Sequence, residues 1–252
     1  MSRPAAVPRM ALVSTFLRSF TIQGSWNYRS MVGGGVAFCL LPVLRAVART
    51  RDEPLQESLQ RHVGHFNAHP YLTSLALGAI SRLEADGENP EEVRRFKAAI
   101  RGPLGGLGDA LIWAGWLPAR SLVALIAAWG GAGPLVTVIL FLGLYNLGHL
   151  SLRIWAFMAG LDAGKELGPL LRSANLAPLA GRVARVGTVL LGFLTGLILT
   201  LDDGLREPAW LWIPLALIAI ASGMLGGQRI WRPTALVVVG TVGLVVVLGS
   251  LP

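Results

Sequence analysis

Four polar clusters interrupt an otherwise apolar chain, and their residue types bound the chemistry open to it. The first is Gln23-Gly24-Ser25-Trp26-Asn27-Tyr28, followed closely by Gly33, Gly34 and Gly35. The second is Arg61-His62-Val63-Gly64-His65-Phe66-Asn67-Ala68-His69-Pro70, the third Gly102-Pro103-Leu104-Gly105-Gly106-Leu107-Gly108-Asp109, and the fourth Leu144-Tyr145-Asn146. On a helix, His62, His65 and His69 would share one face, where neutral imidazoles could ligate zinc. No cysteine or carboxylate adjoins them to complete a ligand set, and Pro70 ends the helix beside His69. Capping or interfacial histidines are the preferred reading; no metal and no cofactor is expected. The third cluster has the glycines of a phosphate loop without its lysine and hydroxyl ending or its preceding strand, which argues against nucleotide binding. Asp109 reads either as a cap near a helix start or as an acid lining a polar cavity, since an ionisable group at membrane depth is costly unless used or paired.

The amides Gln23, Asn27, Asn67 and Asn146 offer the paired donors and acceptors that vicinal sugar hydroxyls require, and Trp26 and Phe66 could supply a stacking face. The competing reading is that each amide joins one helix to another. Glu84 is expected to be a surface or salt-bridge residue, and Arg153 to anchor a helix end by snorkelling. No serine sits in a nucleophile elbow and no nucleophile and base are paired, so catalysis by this chain is not expected.

The elements that would position these residues belong in a bilayer. Apolar residues make up 53% of the 252-residue chain and Asp, Glu, Lys and Arg only 14%, against roughly 25% charged in a soluble domain. Mean hydropathy is +0.58. The 31 glycines and 8 tryptophans suit close helix packing and membrane interfaces. The net charge of +8 comes mostly from arginines at the ends of apolar runs, as the positive-inside rule places them, rather than from a continuous basic surface for nucleic acid. Cys39 is the sole cysteine, which excludes a disulfide framework. Residues 1–10 are basic but lead into no long apolar run, so no cleaved signal peptide is expected.

Residues 186–201, 209–226 and 234–251 are apolar enough to cross a bilayer. Their connectors alternate between basic (Arg182, Arg185), acidic (Asp202, Asp203, Glu207) and basic (Arg229, Arg232), with Trp210, Trp212 and Trp231 at the interfaces. This predicts a cytoplasmic N-terminus and an extracytoplasmic C-terminus. Residues 31–44 and 71–80 are too short to cross and read as re-entrant or protein-buried helices; 104–129 is broken by Asp109, Pro118 and Arg120, and 134–147 precedes Arg153. Asn89-Pro90-Glu91-Glu92 reads as a cap, a proline in the first turn and acids on the helix dipole. The predicted fold is an all-α, polytopic integral membrane protein. It has short re-entrant or protein-buried helices in the N-terminal part and about three membrane helices in the C-terminal part. Its predicted divisions are a basic N-terminus (1–15), a core (16–175) and C-terminal helices (176–252).

The motifs FLRSFTIQGSWNY (16–28), RHVGHFNAHP (61–70), LGAISRLEA (77–85), IRGPLGGLGDALIW (100–113) and LYNLGHLSLR (144–153), with Gly160 and Gly164 after them, occur in order. Over residues 12 to 200 the chain resembles the IID subunit of the mannose/fructose/sorbose class of the bacterial sugar phosphotransferase system. The resemblance implies a multi-pass protein of the bacterial inner membrane, working in an oligomeric complex with a IIC membrane subunit to translocate a hexose-type sugar. Cytoplasmic IIAB (or separate IIA and IIB) would pass phosphate to that sugar, so His62 is not expected to carry a phosphoryl group. By resemblance, Gln23, Trp26, Asn27, His62, Asn67, Asp109 and Asn146 occupy positions near the sugar path or the IIC contact. Three features depart from the pattern. Tyr28-Arg29-Ser30 stands where the family usually has an aromatic or small residue, then Glu and Arg; the triple glycine Gly33 to Gly35 is unusual; and the segment 202–208 is short. A degenerate scaffold with a regulatory or assembly role is the alternative that these departures raise.

Overall fold

The computed structural model describes residues 7–51 and 53–201, and among them every regular element is a helix. The expectations placed on 202–252, including two of the apolar stretches and the connectors that orient the C-terminus, lie outside the described residues. Helices α1 (Arg9–Arg18), α2 (Gly33–Ala48), α3 (Leu55–Val63) and α4 (Thr73–Asp86) are short. They are followed by α5 (Pro90–Gly108), a π-helical segment at Asp109–Trp116, α6 (Leu117–Trp129), α7 (Pro134–Ala163), α8 (Leu167–Ser173) and α9 (Leu176–Leu201).

Among the described residues, three stretches are long and apolar enough to cross a membrane: Pro90–Trp129, Pro134–Ser173 and Leu176–Ile198. The last overlaps the first of the predicted spans but begins earlier, so Arg182 and Arg185, expected in the connector before it, lie within the helix. The other two correct the reading of interrupted runs. Asp109, Pro118 and Arg120 do not break the helix, because the wider π turns shift its hydrogen-bond register just ahead of Pro118, which has no N–H to offer. Arg120 is buried with its guanidinium 4.7 Å from the Phe141 ring centroid, so its charge is partly met by a π face. At 1.5 Å per residue a 40-residue helix is about 60 Å long, twice a hydrocarbon core. Its first turns, with Glu91, Glu92, Arg94, Arg95 and Lys97, are therefore the part that leaves the bilayer. They start as the sequence predicts: the Asn89 side chain accepts from the Glu91 N–H at 2.8 Å, with Pro90 behind it.

The described residues fall into two compact units, 7–114 with 145–180, and 115–144 with 181–201. The units interleave along the chain instead of following one another. In the first, α4 is buried on every side except at Arg82 and Asp86, and α2 is mostly buried; these are the protein-buried helices that their lengths predict. Helix α4 lies directly on α7. A Cβ on Gly78 would stand 2.2 Å from the Phe157 carbonyl oxygen, and one on Gly160 only 2.0 Å from that of Leu75. Small residues on both helices let the backbones touch, the usual means of gaining dispersion contact where lipid offers no hydrophobic drive. In the second unit, Gly187 of α9 sits against Ala119 of α6, and Leu135 of α7 and Val189 of α9 are exposed apolar side chains of membrane-length helices.

Candidate functional site

The four polar clusters are far apart in sequence, and the first compact unit brings them together. The loop after α1 is shaped by Asn27, whose carboxamide oxygen accepts from the backbone N–H groups of Arg29 (3.0 Å) and Ser30 (2.9 Å) while its nitrogen donates to the Ser30 hydroxyl (2.9 Å). This is an Asx-type turn, and it delivers the chain to Met31, which is held at φ 53°. From there the loop pairs with the second cluster: Val32 N–H donates to the Phe66 carbonyl and Phe66 N–H to the Ser30 carbonyl, both at 3.1 Å. The glycine run makes this possible. A Cβ on Gly33 would lie 2.1 Å from the Gly64 carbonyl oxygen, and one on Gly35 2.0 Å from that of Ile22. The second cluster meets the third in the same way, because Gly108 passes the His69 side chain where a Cβ would approach its Cβ to 2.1 Å. Tyr145 of the fourth cluster hydrogen-bonds Tyr71 through their hydroxyls.

Behind these loops lies a buried ionic network. Glu84 of α4 receives Arg61 Nε at 2.8 Å and Nη2 at 2.6 Å, a forked pair, and His62 Nε2 at 2.9 Å. Arg61 also bonds Glu53, and Lys97 of α5 donates to the Arg61 carbonyl at 2.6 Å. Burial alone would raise the Glu84 carboxyl, but the hydrogen bonds from Arg61 and His62 outweigh it and hold the group down at about 2. Burial lowers His62 to about 4, leaving the ring neutral near pH 7. An ionised Glu84 only accepts, so Nε2 carries the His62 proton; Nδ1 is buried with no hydrogen-bond partner among the described residues. His62 is therefore a core residue of an ion network rather than a cap or an interfacial group. His69 is buried too and also lowered to about 4, by burial and then by the charge of Arg153. His65 alone of the three is exposed, beside Arg101. Among the described residues no cluster could hold a metal ion.

A second buried group, not foreseen from the sequence, surrounds Arg153 on α7. Its Nη1 donates to the Ser19 carbonyl at 2.8 Å and to the Ser19 hydroxyl at 3.1 Å, its Nε to His149 Nε2 at 2.6 Å. The guanidinium also lies 4.9 Å from the Phe20 ring centroid and 5.0 Å from that of Tyr71, which stacks on His149 at 4.1 Å. Arg153 is 3% exposed. This corrects the snorkelling expectation: the end of α1 covers the side chain and supplies its acceptors.

Of the residues singled out, Gln23, Trp26, Asn27, Asn67, Asp109 and Asn146 are all exposed on this unit, while His62 and the stacking candidate Phe66 are enclosed. Trp26 and Tyr28 stand edge to face at 4.8 Å and protrude together, Tyr28 being 85% exposed. Asp109 lies within a continuous helical stretch and not at a helix start, which removes its reading as an N-terminal cap. Glu84 is the salt-bridge residue that the sequence allowed, but a buried one.

Residues 6–205 match the family model of the mannose/fructose/sorbose family IID component of the phosphotransferase system. The chain belongs to this family. It is 32% identical over 162 residues to the mannose-specific EIID component of Escherichia coli (strain K12), a match covering 61% of this chain and 56% of that protein. It is 26% identical to the fructose permease IID component of Bacillus subtilis (strain 168) over 201 residues, 77% of this chain and 71% of the relative. The chain thus spans little more than half the length of the mannose-specific relative. Its fold is similar to a chain in the cryo-EM structure of the mannose transporter ManYZ with microcin E492 (MceA). That match has a TM-score of 0.58 at 22% identity and covers 95% of this chain and 97% of the other. A second solved membrane protein gives a TM-score of 0.66 at 22% identity with the same coverage. Long apolar helices, family and fold agree that this is a membrane protein of the IID component family.

Proposed function

We propose that the chain is the IID subunit of a mannose-class permease of the bacterial inner membrane, which with a IIC subunit forms the path for a hexose-type sugar. The carrying observation is the convergence of the four polar motifs on one unit, three of them through glycine contacts and the fourth through the Tyr145–Tyr71 hydroxyl pair, with a hydrogen-bonded interior and outer residues Gln23, Trp26, Asn27, Asn67, Asp109 and Asn146 left exposed. Amides, an acid and an aromatic face left open in an apolar protein serve a polar solute or a companion subunit; both roles fit a pore shared between subunits. His62 acts in this reading from behind, by holding Glu84 and the second loop in place. The chain contributes no phosphorylated residue; phosphate reaches the sugar from IIAB or from separate IIA and IIB.

The test is reconstitution. Co-expression with a IIC subunit is expected to give a complex that survives purification in detergent, and vesicles with that complex and phosphorylated IIAB are expected to accumulate phosphosugar. A stable complex without sugar-dependent phosphate transfer would favour the scaffold role raised by Arg29 and Ser30. Failure to associate with IIC would refute the reading altogether.

A further inference from the structure

Helix α1 runs antiparallel to α7: Ser19 meets Arg153, Phe16 meets Phe157 at 5.5 Å, and Arg9 reaches the level of Leu161. One side of α1 is buried, through Leu12 and Thr15. The other leaves an open groove of about 250 Å³ against α7, with Val13 and Phe16 on one wall and Ile154, Phe157 and Met158 on the other. Its surface is almost wholly apolar, and Val13 and Ile154 are about half exposed, at 48% and 52%. No acidic residue among the described ones lines it. At one end stands Arg9, exposed and in no ion pair among the described residues.

The levels along α7 fit one class of occupant. Near Leu161, beside Arg9, the chain turns polar with Asp162, Lys165 and Glu166, all exposed, which marks the membrane boundary; towards Ile154 it lies deeper in the apolar part of the span. A cation at the boundary with an apolar trough descending from it matches an anionic headgroup with an acyl chain below. The first turn of α1 contains no acid and has no side-chain cap, so its end of the helix dipole adds to the attraction for an anion. We propose that the α1–α7 groove is a binding site for an anionic phospholipid, with the phosphate at Arg9 and one acyl chain along Val13, Phe16, Ile154 and Met158. A basic residue at a membrane surface contributes attraction for an anionic lipid worth about fivefold in affinity.

The full chain, purified in zwitterionic detergent and examined by native mass spectrometry with added phosphatidylglycerol or phosphatidylcholine, tests this directly. The unaltered protein is expected to retain phosphatidylglycerol about fivefold better, Arg9→Gln to remove the preference, and Val13→Trp to fill the groove and remove the bound lipid. Thermal unfolding of both variants is expected to match the unaltered chain, since both side chains are exposed. No preference in the unaltered protein, or a preference unchanged in Arg9→Gln, would overturn the headgroup assignment. If Val13→Trp leaves lipid binding intact but dissolves an oligomer or a complex with another subunit, the groove holds protein and the proposal is wrong.

Discussion

Two buried arginines in the same compact unit are held in opposite ways. Arg61, at the polar end built by α3, α4 and the first turns of α5, faces two carboxylates, Glu84 and Glu53. Arg153, on a helix of membrane length, has no carboxylate within ion-pair reach among the described residues; a carbonyl, a hydroxyl, an imidazole and two aromatic rings receive it instead. The difference follows from the cost of charge. A buried ion pair needs both ions desolvated, and that penalty is met only by good geometry and extra hydrogen bonds, which the Arg61 fork has. Along the span a single cation spread over dipoles and π faces avoids burying a second ion. One arginine ties the polar end of the unit together; the other pins α1 to α7.

The comparison is sharpest in what each arginine leaves behind when removed. Arg61→Met abandons the Glu84 carboxylate, 3% exposed, to one imidazole, and such uncompensated buried charge costs about 3–5 kcal/mol. Glu84→Gln is expected to do comparable damage from the other side, stranding Arg61 with Glu53 alone. Arg153→Met leaves only neutral acceptors unpaired, for about 1–3 kcal/mol. Thermal unfolding of the three variants in one detergent should rank Arg61→Met and Glu84→Gln well below Arg153→Met; equal losses would show that the two sites are not held differently after all.

Acid should loosen the first compact unit in two successive windows. His62 and His69 are both lowered from 6.5 to about 4, so the unfolded chain binds their protons first. Their share of stability is complete above pH 6.5 and drains away as pH falls towards 4. Glu84, lowered from 4.5 to about 2, loses its share in the next window, from 4.5 downward. His62→Gln is expected to flatten the loss between pH 6.5 and 4, because one of the two lowered imidazoles is then gone. Superimposable pH profiles for the variant and the unaltered chain would contradict the neutral state of His62.

Much of this arrangement was legible in the residues, and the failures share one cause. The cap at Asn89, the buried α2 and α4, and the crossing α9 follow from local signals: a capping side chain, apolar length and glycine content. Asp109, Pro118 and Arg120 each look like a break when taken singly, whereas the π turn and the Phe141 ring that absorb their cost are matters of tertiary arrangement. Arg153 was misplaced for the same reason, since nothing near it in sequence announces that Ser19, 134 positions away, will cap it. The run Gly33 to Gly35 is unusual and Gly108 belongs to a glycine-rich cluster, but the loops they admit are visible only where the backbones touch.

The smallest effects on stability should come from the exposed amides and the acid, and there the polar interior and the open surface part company. Asn27 orders its loop through several hydrogen bonds, so Asn27→Ala is expected to cost about 1 kcal/mol. Asn67 and Asp109 are exposed, and among the described residues no hydrogen bond of either side chain shapes the fold. Asn67→Ala and Asp109→Ala should stay within about 0.5 kcal/mol of the unaltered chain. If these two side chains serve the sugar path, each variant will still assemble with IIC in normal amount while sugar uptake falls, a separation of assembly from transport that no merely structural residue produces. Loss of the complex in either variant would instead place that side chain in the subunit contact, and unchanged uptake would remove it from the site.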